Sequence, residues 1–345
     1  MKILIDLQHP AHLHFFRNVV NQLRAEGHEV RLTGRDKDIL VSLAGEYGLE
    51  VEVFGTAKSG ILKMGSELFG RWWRLWHIAR RWKPDRMMAI AGTYASLPGW
   101  LTGTPVSVFY DTEHAMLSNL LAYPFCTCVH VPRCYKKNIR WNHRRYNGYH
   151  ELAYLHPKYF TPNPSVLEEV GIGKDVNFTL VRFVGWGAAH DIGRRGFTAE
   201  NRVKAVRELQ EFGSVLISCE GELPSDLEDC RLQLPVSRIH DLMYYAALVF
   251  GESATMSSEA AVLGVPSVYV YPVGLGYTDE QEREYGLVSH FTHEQEEEAI
   301  ERGRDILNNY SRDKWRDKAK RLVEDKIDVS QMLCDIARQG DGVSV

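Results

Sequence analysis

The chain lacks what marks a membrane-spanning or disulfide-built protein. No apolar run in its 345 residues approaches the roughly 18–20 that a spanning helix needs. Its six cysteines fall into no disulfide framework, which points to a reducing compartment, the cytoplasm. Met1-Lys2 leads straight into the apolar run ILIDL, so no secretory leader is read there. An excess of one charge is missing too. The 41 Lys and Arg against 45 Asp and Glu leave a net charge of −4, so nothing global argues for a nucleic-acid partner. Neither the dinucleotide fingerprint nor a P-loop occurs, and no tandem repeat or low-complexity segment is visible.

What remains is ordinary globular composition, 44% hydrophobic and 25% charged, in a chain long enough for two domains. The pattern is strand–loop–helix–strand from the start: ILIDL, the helix FFRNVVNQLRAEG with apolar residues at helical spacing, then HEVRLTGR. Further strands are expected at 51–55, 86–92, 106–111 and 127–132, and a second series at 178–184, 214–220, 248–252 and 266–271. Helices fill the gaps and dominate 294–338. The expected fold is α/β, two Rossmann-like domains facing a cleft. Residues 1–163 form the first, 164–325 the second, and 326–345 a helix crossing back. Ligands of such sheets gather at the strands' carboxyl ends.

The densest motif is GESATMSSEAAVLGVP, Gly251 to Pro266. A strand ends in small and hydroxyl residues, and a helix is expected to open at Ser257-Ser258-Glu259. Small residues let a ligand approach the backbone, and a helix N-terminus favours phosphate. A carboxylate one turn in suits sugar hydroxyls. The alternative is a plain strand–helix corner with serine caps.

Other strand ends carry chemistry as well. His9, His12 and His14 follow the first strand, where one is expected to face the cleft as general base or acceptor binder; the alternative is helix capping. Asp111-Thr112-Glu113-His114 offers Glu113 or His114 the same kind of role, or a helix cap. Gly185, Gly187 and Ala188 in GWGAAHD suit a backbone cradle for diphosphate, with Arg182 as a charge-assisted donor. Glu220 and the polar stretch 278–281, including Gln281, are expected to rim the same cleft.

Three further patterns are weaker. Cys126, Cys128 and His130 would share one face of a strand, but C-x-C-x-H is not the spacing of a structural zinc site, and buried thiols explain it better. Asp36-Lys37-Asp38 matches a short D-x-D, read as a helix start. Trp72, Trp73 and Trp76 alternate with Arg74, Arg80 and Arg81. That helix would either lie on an anionic membrane surface or bury half its tryptophans in the core.

At these residues the chain resembles the GT-B glycosyltransferase superfamily, and most closely an uncharacterised prokaryotic family of predicted glycosyltransferases. The marks are ILIDLQHPAHLHFFRNVVNQLRAEGHEV, YDTEHAMLSN, RYNGYHELAYLHPKYF, RFVGWGAAHD and GESATMSSEAAVLGVPS. The N-acetylglucosaminyltransferases that form lipid II are similar at greater distance. That resemblance implies His12 on the acceptor side, Glu113 and His114 beside it, and Glu259 on the ribose. It also implies Ser253, Ala254, Thr255, Met256 and Ser258 around a nucleotide diphosphate sugar, a UDP-sugar first. The acceptor would be a glycan or lipid-linked hydroxyl, and the Trp/Arg helix before Lys83-Pro84-Asp85 would meet the inner leaflet. No cofactor and no metal are implied. Three segments depart from those enzymes: Gln8-His9-Pro10-Ala11 stands for a glycine run, Gly185-Trp186-Gly187 is bulkier, and Tyr149-His150-Glu151 replaces an arginine. A weaker likeness to non-hydrolysing UDP-N-acetylglucosamine 2-epimerases leaves epimerisation as an alternative, beside a non-catalytic nucleotide-sugar-binding protein.

Overall fold

The computed structural model describes residues 1–36, 39–56, 61–113, 116–174, 176–184, 196–219 and 221–342. The chain divides into two compact units, Met1–Tyr159 with Lys326–Val345, and Phe160–Asp325.

The first unit runs β1 Lys2–Leu7, α1 Pro10–Ala25, β2 Glu29–Asp36, α2 Leu40–Glu46, β3 Glu52–Thr56, α3 Ile61–Trp82, β4 Arg86–Ile90, α4 Ser96–Thr102, β5 Val106–Phe109, α5 Met116–Ala122, β6 Cys128–Pro132, β7 His143–Tyr146 and α6 Leu152–Leu155. Its seven strands form one parallel sheet in the order β3-β2-β1-β4-β5-β6-β7. Such a sheet is covered on both faces, which is why β1 reads as a nearly unbroken apolar run and is buried from Ile3 to Leu7. Helix α1 buries Leu13, Phe16, Val19, Val20 and Leu23 along one stripe. Pro10 sits at its start, where a missing N–H does no harm.

The second unit runs α7 Ser165–Glu169, β8 Phe178–Phe183, α8 Ala199–Gln210, β9 Ser214–Cys219, α9 Ile239–Tyr245, β10 Leu248–Gly251, α10 Ala254–Val262, β11 Ser267–Val270, α11 Gly276–Arg283, β12 Val288–Phe291, α12 Glu296–Asn308 and α13 Arg312–Asp325. Its parallel sheet has the order β12-β11-β10-β8-β9, with β10 in the middle. Gly251 closes β10 at φ +146°, and a Cβ there would lie 2.0 Å from the Arg182 carbonyl oxygen. Only glycine fits so close a crossing of strands.

Helix α14, Val329–Gln339, belongs to the first unit and packs on α1 and α6. Asp328 caps it through the Gln331 amide at 2.9 Å and is itself held by Lys158 and Tyr159. Beyond it, Asp341 accepts from Ser107 at 2.6 Å and from Arg86 at 3.1 Å, and lies 2.8 Å from the His130 ring.

Two edge strands, β7 (HRRY) and β12 (VSHF), were not expected, because each is four residues long and carries polar side chains. Helix α10 opens at Ala254, three residues before the expected Ser257, and the stretch 278–281 lies within helix α11.

Candidate functional site

In the second unit the chemistry gathers where the middle strand ends. Ser253 caps α10: its hydroxyl accepts from the Met256 amide at 3.2 Å, and its carbonyl takes the Ser257 amide at 3.0 Å. The amides of Ala254 and Thr255 stand at the open end of the helix, where no earlier turn exists to pair them. Thr255 is exposed and Met256 half-buried, so this end meets solvent. The positive end of the helix dipole and those amides make a place for an anion.

Glu252, between β10 and the cap, is almost fully buried. It accepts from the Val184 amide at 2.8 Å, the Phe197 amide at 2.7 Å and Arg202 at 3.0 Å. Burial pushes its carboxyl above the ordinary range, although Arg202 and the two amides pull the other way. One carboxylate thus joins the end of β8 to the start of α8. The expected cradle residues Gly185, Gly187 and Ala188 lie between those two points, outside the described residues, as does Glu220. Arg182 reaches the Ser218 hydroxyl at 2.9 Å on the neighbouring strand.

Glu259 lies on the second turn of α10, 6% exposed, with Oε1 2.9 Å from Nε2 of His240 on α9. Ser258 and Gln281 meet each other instead of a cavity. Gln281 Nε2 donates to the Ser258 hydroxyl at 2.8 Å, and both are fully buried between α10 and α11. Their geometry is that of a polar packing contact.

In the first unit the three loop histidines separate. His9 is the cap of α1, its Nδ1 accepting from the Ala11 amide at 3.2 Å. His14 is buried, stacked on Tyr154 with ring centroids 5.3 Å apart. His12 is half-buried, and its Nδ1 accepts from the Gln8 amide at 3.3 Å. A neutral ring that accepts at Nδ1 carries its proton on Nε2.

The strand-end carboxylate that faces this chemistry is Asp111. It pairs with His150 at 3.0 Å and accepts from the Thr112 hydroxyl at 2.9 Å, and His150 in turn packs on the Phe15 ring at 4.4 Å. Burial alone would raise Asp111. The His150 ring, the Thr112 hydroxyl and the nearby His12 outweigh it and hold the carboxyl below its usual value. Glu113 is buried and accepts from the Lys136 amide at 3.1 Å, linking the loops after β5 and β6. His114 lies outside the described residues. His150 and His240 did not figure among the expected residues. The only signal for His150 was its place in a segment that departs from the related enzymes.

A second cluster, also unanticipated, sits deeper. Asp6 on β1 is fully buried, 2.8 Å from Arg71 of α3 and 2.9 Å from the Thr33 hydroxyl. Burial raises the Asp6 carboxyl, with Arg71 opposing. Arg71 is therefore a core residue, while its helix neighbours turn outward. Trp73 is 54% exposed, Phe69 is 68% exposed, and Arg74, Arg80 and Arg81 are in solvent. Trp72 bonds the Thr93 carbonyl at 2.9 Å, and Trp76 lies between the Trp73 and Arg80 side chains. A cleft of about 510 Å³ lies beside this helix, lined by Trp76, Arg80, Lys83 and Leu101 among others. No helix among the described residues is long and apolar enough to cross a membrane.

Cys128, His130 and Asp341 come within 4.8 Å of one another. Arg86, Ser107 and the His130 ring hold the Asp341 carboxylate, and burial pushes the Cys128 thiol up to about 12.

Known proteins place this geometry in a context. An uncharacterised protein of Methanocaldococcus jannaschii, MJ0665, is 24% identical over 291 residues, 79% of this chain and 82% of that protein. The fold is similar to that of the UDP-GlcNAc 2-epimerase of Neisseria meningitidis bound to UDP-GlcNAc, with a TM-score of 0.71, 12% identity, and 97% of this chain and 99% of that one covered. It is similar also to MurG of Acinetobacter baumannii, a GT-B glycosyltransferase, with a TM-score of 0.58, 13% identity, and coverage of 98% and 100%. At such identities the likeness carries the fold, which is GT-B. A family model described as a protein of unknown function, DUF354, matches residues 1–338, and the chain belongs to that family.

Proposed function

We propose that the protein is a metal-independent glycosyltransferase that moves a sugar from a nucleotide diphosphate sugar, a UDP-sugar first, to a hydroxyl of a glycan or lipid-linked acceptor. The observation that carries this reading is the junction of β10 and α10. A middle strand of a parallel sheet ends in a glycine, a buried carboxylate and a capped, solvent-facing helix N-terminus, with Glu259 one turn further in. The open end of α10 would hold the diphosphate, and Glu259 would accept from the ribose hydroxyls.

In the transfer step the acceptor oxygen bonds to the anomeric carbon, and the bond from that carbon to the diphosphate oxygen breaks. The electron pair leaves with the diphosphate, where the helix end stabilises it. The acceptor's proton would pass to a base, for which the first unit offers Asp111, oriented by His150 and Thr112. Asp111 thus takes the part expected of Glu113, whose carboxylate links two loops. The exposed Trp/Arg face of α3 would rest on an anionic inner-leaflet surface when the acceptor is lipid-linked.

A panel of nucleotide sugars tests the donor side. One of them is expected to raise the thermal midpoint, since ligand at 100 Kd contributes about 2.7 kcal/mol. Glu259→Ala is expected to lose that protection. Failure of every nucleotide sugar to protect the wild type would overturn the proposal. The epimerase likeness favours a second reading, 2-epimerisation of the donor. It is separated by incubating the protective nucleotide sugar alone: a new isomer means epimerase, and an unchanged sugar leaves transfer.

A further inference from the structure

His240 has no part in the transfer step above, yet it is built into the core with care. It is 2% exposed and sits 2.9 Å from Glu259 Oε1. A carboxylate offers only acceptors, so His240 Nε2 is the donor of this bond. Its helix, α9, is braced from outside. Asp241 accepts from the Asn163 amide at 2.9 Å and from Arg238 at 2.5 Å, and Arg316 bonds the Tyr244 carbonyl. The imidazole is therefore a fixed point.

We infer that His240 aims Glu259 at the ribose of the bound nucleotide, as a positioning residue that touches no ligand itself. A glutamate has three rotatable bonds, and a carboxylate that must meet two adjacent hydroxyls needs its plane set beforehand. A bond from a braced ring to one oxygen sets that plane and turns the other oxygen's lone pairs in a defined direction. It also makes burying the carboxylate tolerable before the nucleotide arrives. The inference rests on the assignment of Glu259 to the ribose, and its test is chosen to keep the two apart.

The measurement is the discrimination between a ribose and a ribose stripped of its hydroxyls. UDP, GDP, CDP, ADP and dTDP are titrated by calorimetry, and the tightest is compared with its 2′,3′-dideoxy form. In the wild type the dideoxy form is expected to bind roughly 10- to 100-fold more weakly, the scale of hydrogen bonds to a charged group. Two polar replacements share the burden. His240→Gln places an amide donor where Nε2 stood and is expected to keep the discrimination. His240→Asn is too short to reach Oε1 and is expected to bring the ratio within about threefold, with binding of the dideoxy form little changed. A purely structural role for His240 would weaken both ligands alike and leave the ratio intact. Full discrimination in His240→Asn overturns the inference and spares the ribose assignment. No discrimination in the wild type overturns both, and failure of every diphosphate to bind overturns the proposed function with them.

Discussion

In the proposed reaction Asp111 and His12 would divide the work that the sequence assigns to His12 with Glu113 or His114. Because the Gln8 amide occupies His12 Nδ1, a neutral ring carries its proton on Nε2, which makes it a donor and not a base. In the proposed step the proton would then go to the nearby Asp111 carboxylate. Asp111→Asn is therefore expected to lower kcat by roughly 10²- to 10⁴-fold, the range of general-base catalysis. His12→Ala is expected to act mainly on the acceptor's KM. Steady-state kinetics with the protective donor checks both, and the reverse ranking would return the base role to His12. Strand ends were legible as the places to look, because the topology of a parallel sheet says where ligands gather. Their partners were not. His240 lies 19 residues from Glu259, and only the packing of α9 on α10 brings the two together. Ser258 and Gln281 bond each other in the interior, an arrangement that no local pattern distinguishes from a binding role.

Helix α3 is the element whose sequence had two readings, and its residues divide between a buried and an exposed face. Leu75, Ala79 and Arg71 are buried, Trp72 is tied to a loop carbonyl, and Trp73 with three arginines faces out. Lys and Arg near an anionic surface contribute about 1 kcal/mol each. Reversing Arg74, Arg80 and Arg81 to Glu is therefore expected to abolish co-sedimentation with phosphatidylserine-containing vesicles, while thermal stability stays within about 0.5 kcal/mol because these side chains are exposed. Unchanged sedimentation would remove the membrane role. The central strands were legible as elements since both faces of a parallel sheet demand apolar residues. The edge strands HRRY and VSHF carry no such demand and could not be told from loops. The start of α10 was misplaced because the capping serine is Ser253, not one of the pair at 257–258, and small residues such as Ala254 and Thr255 mark no boundary by themselves.

At the scale of the whole molecule, the first unit is discontinuous in sequence, and its last stitch is Asp341. Burial works against that carboxylate, but His130, Ser107 and Arg86 hold it below its ordinary value. An acid depressed in this way stabilises the fold above its unfolded pKa and loses that contribution as the pH falls through the folded one. The stability gap between wild type and Asp341→Asn is thus expected to be constant from neutrality down to about pH 5 and to close below about pH 4. Urea unfolding across that range measures it, and a gap that widens in acid would contradict the assignment. The same stitch orders events during synthesis. Residues 160–325 are contiguous and can fold as soon as they leave the ribosome, whereas the amino-terminal sheet must wait for α14 and Asp341 to emerge. The part of the polypeptide made first is in this way the part finished last, and a stalled or clipped translation product would hold a completed second unit and a first unit still open.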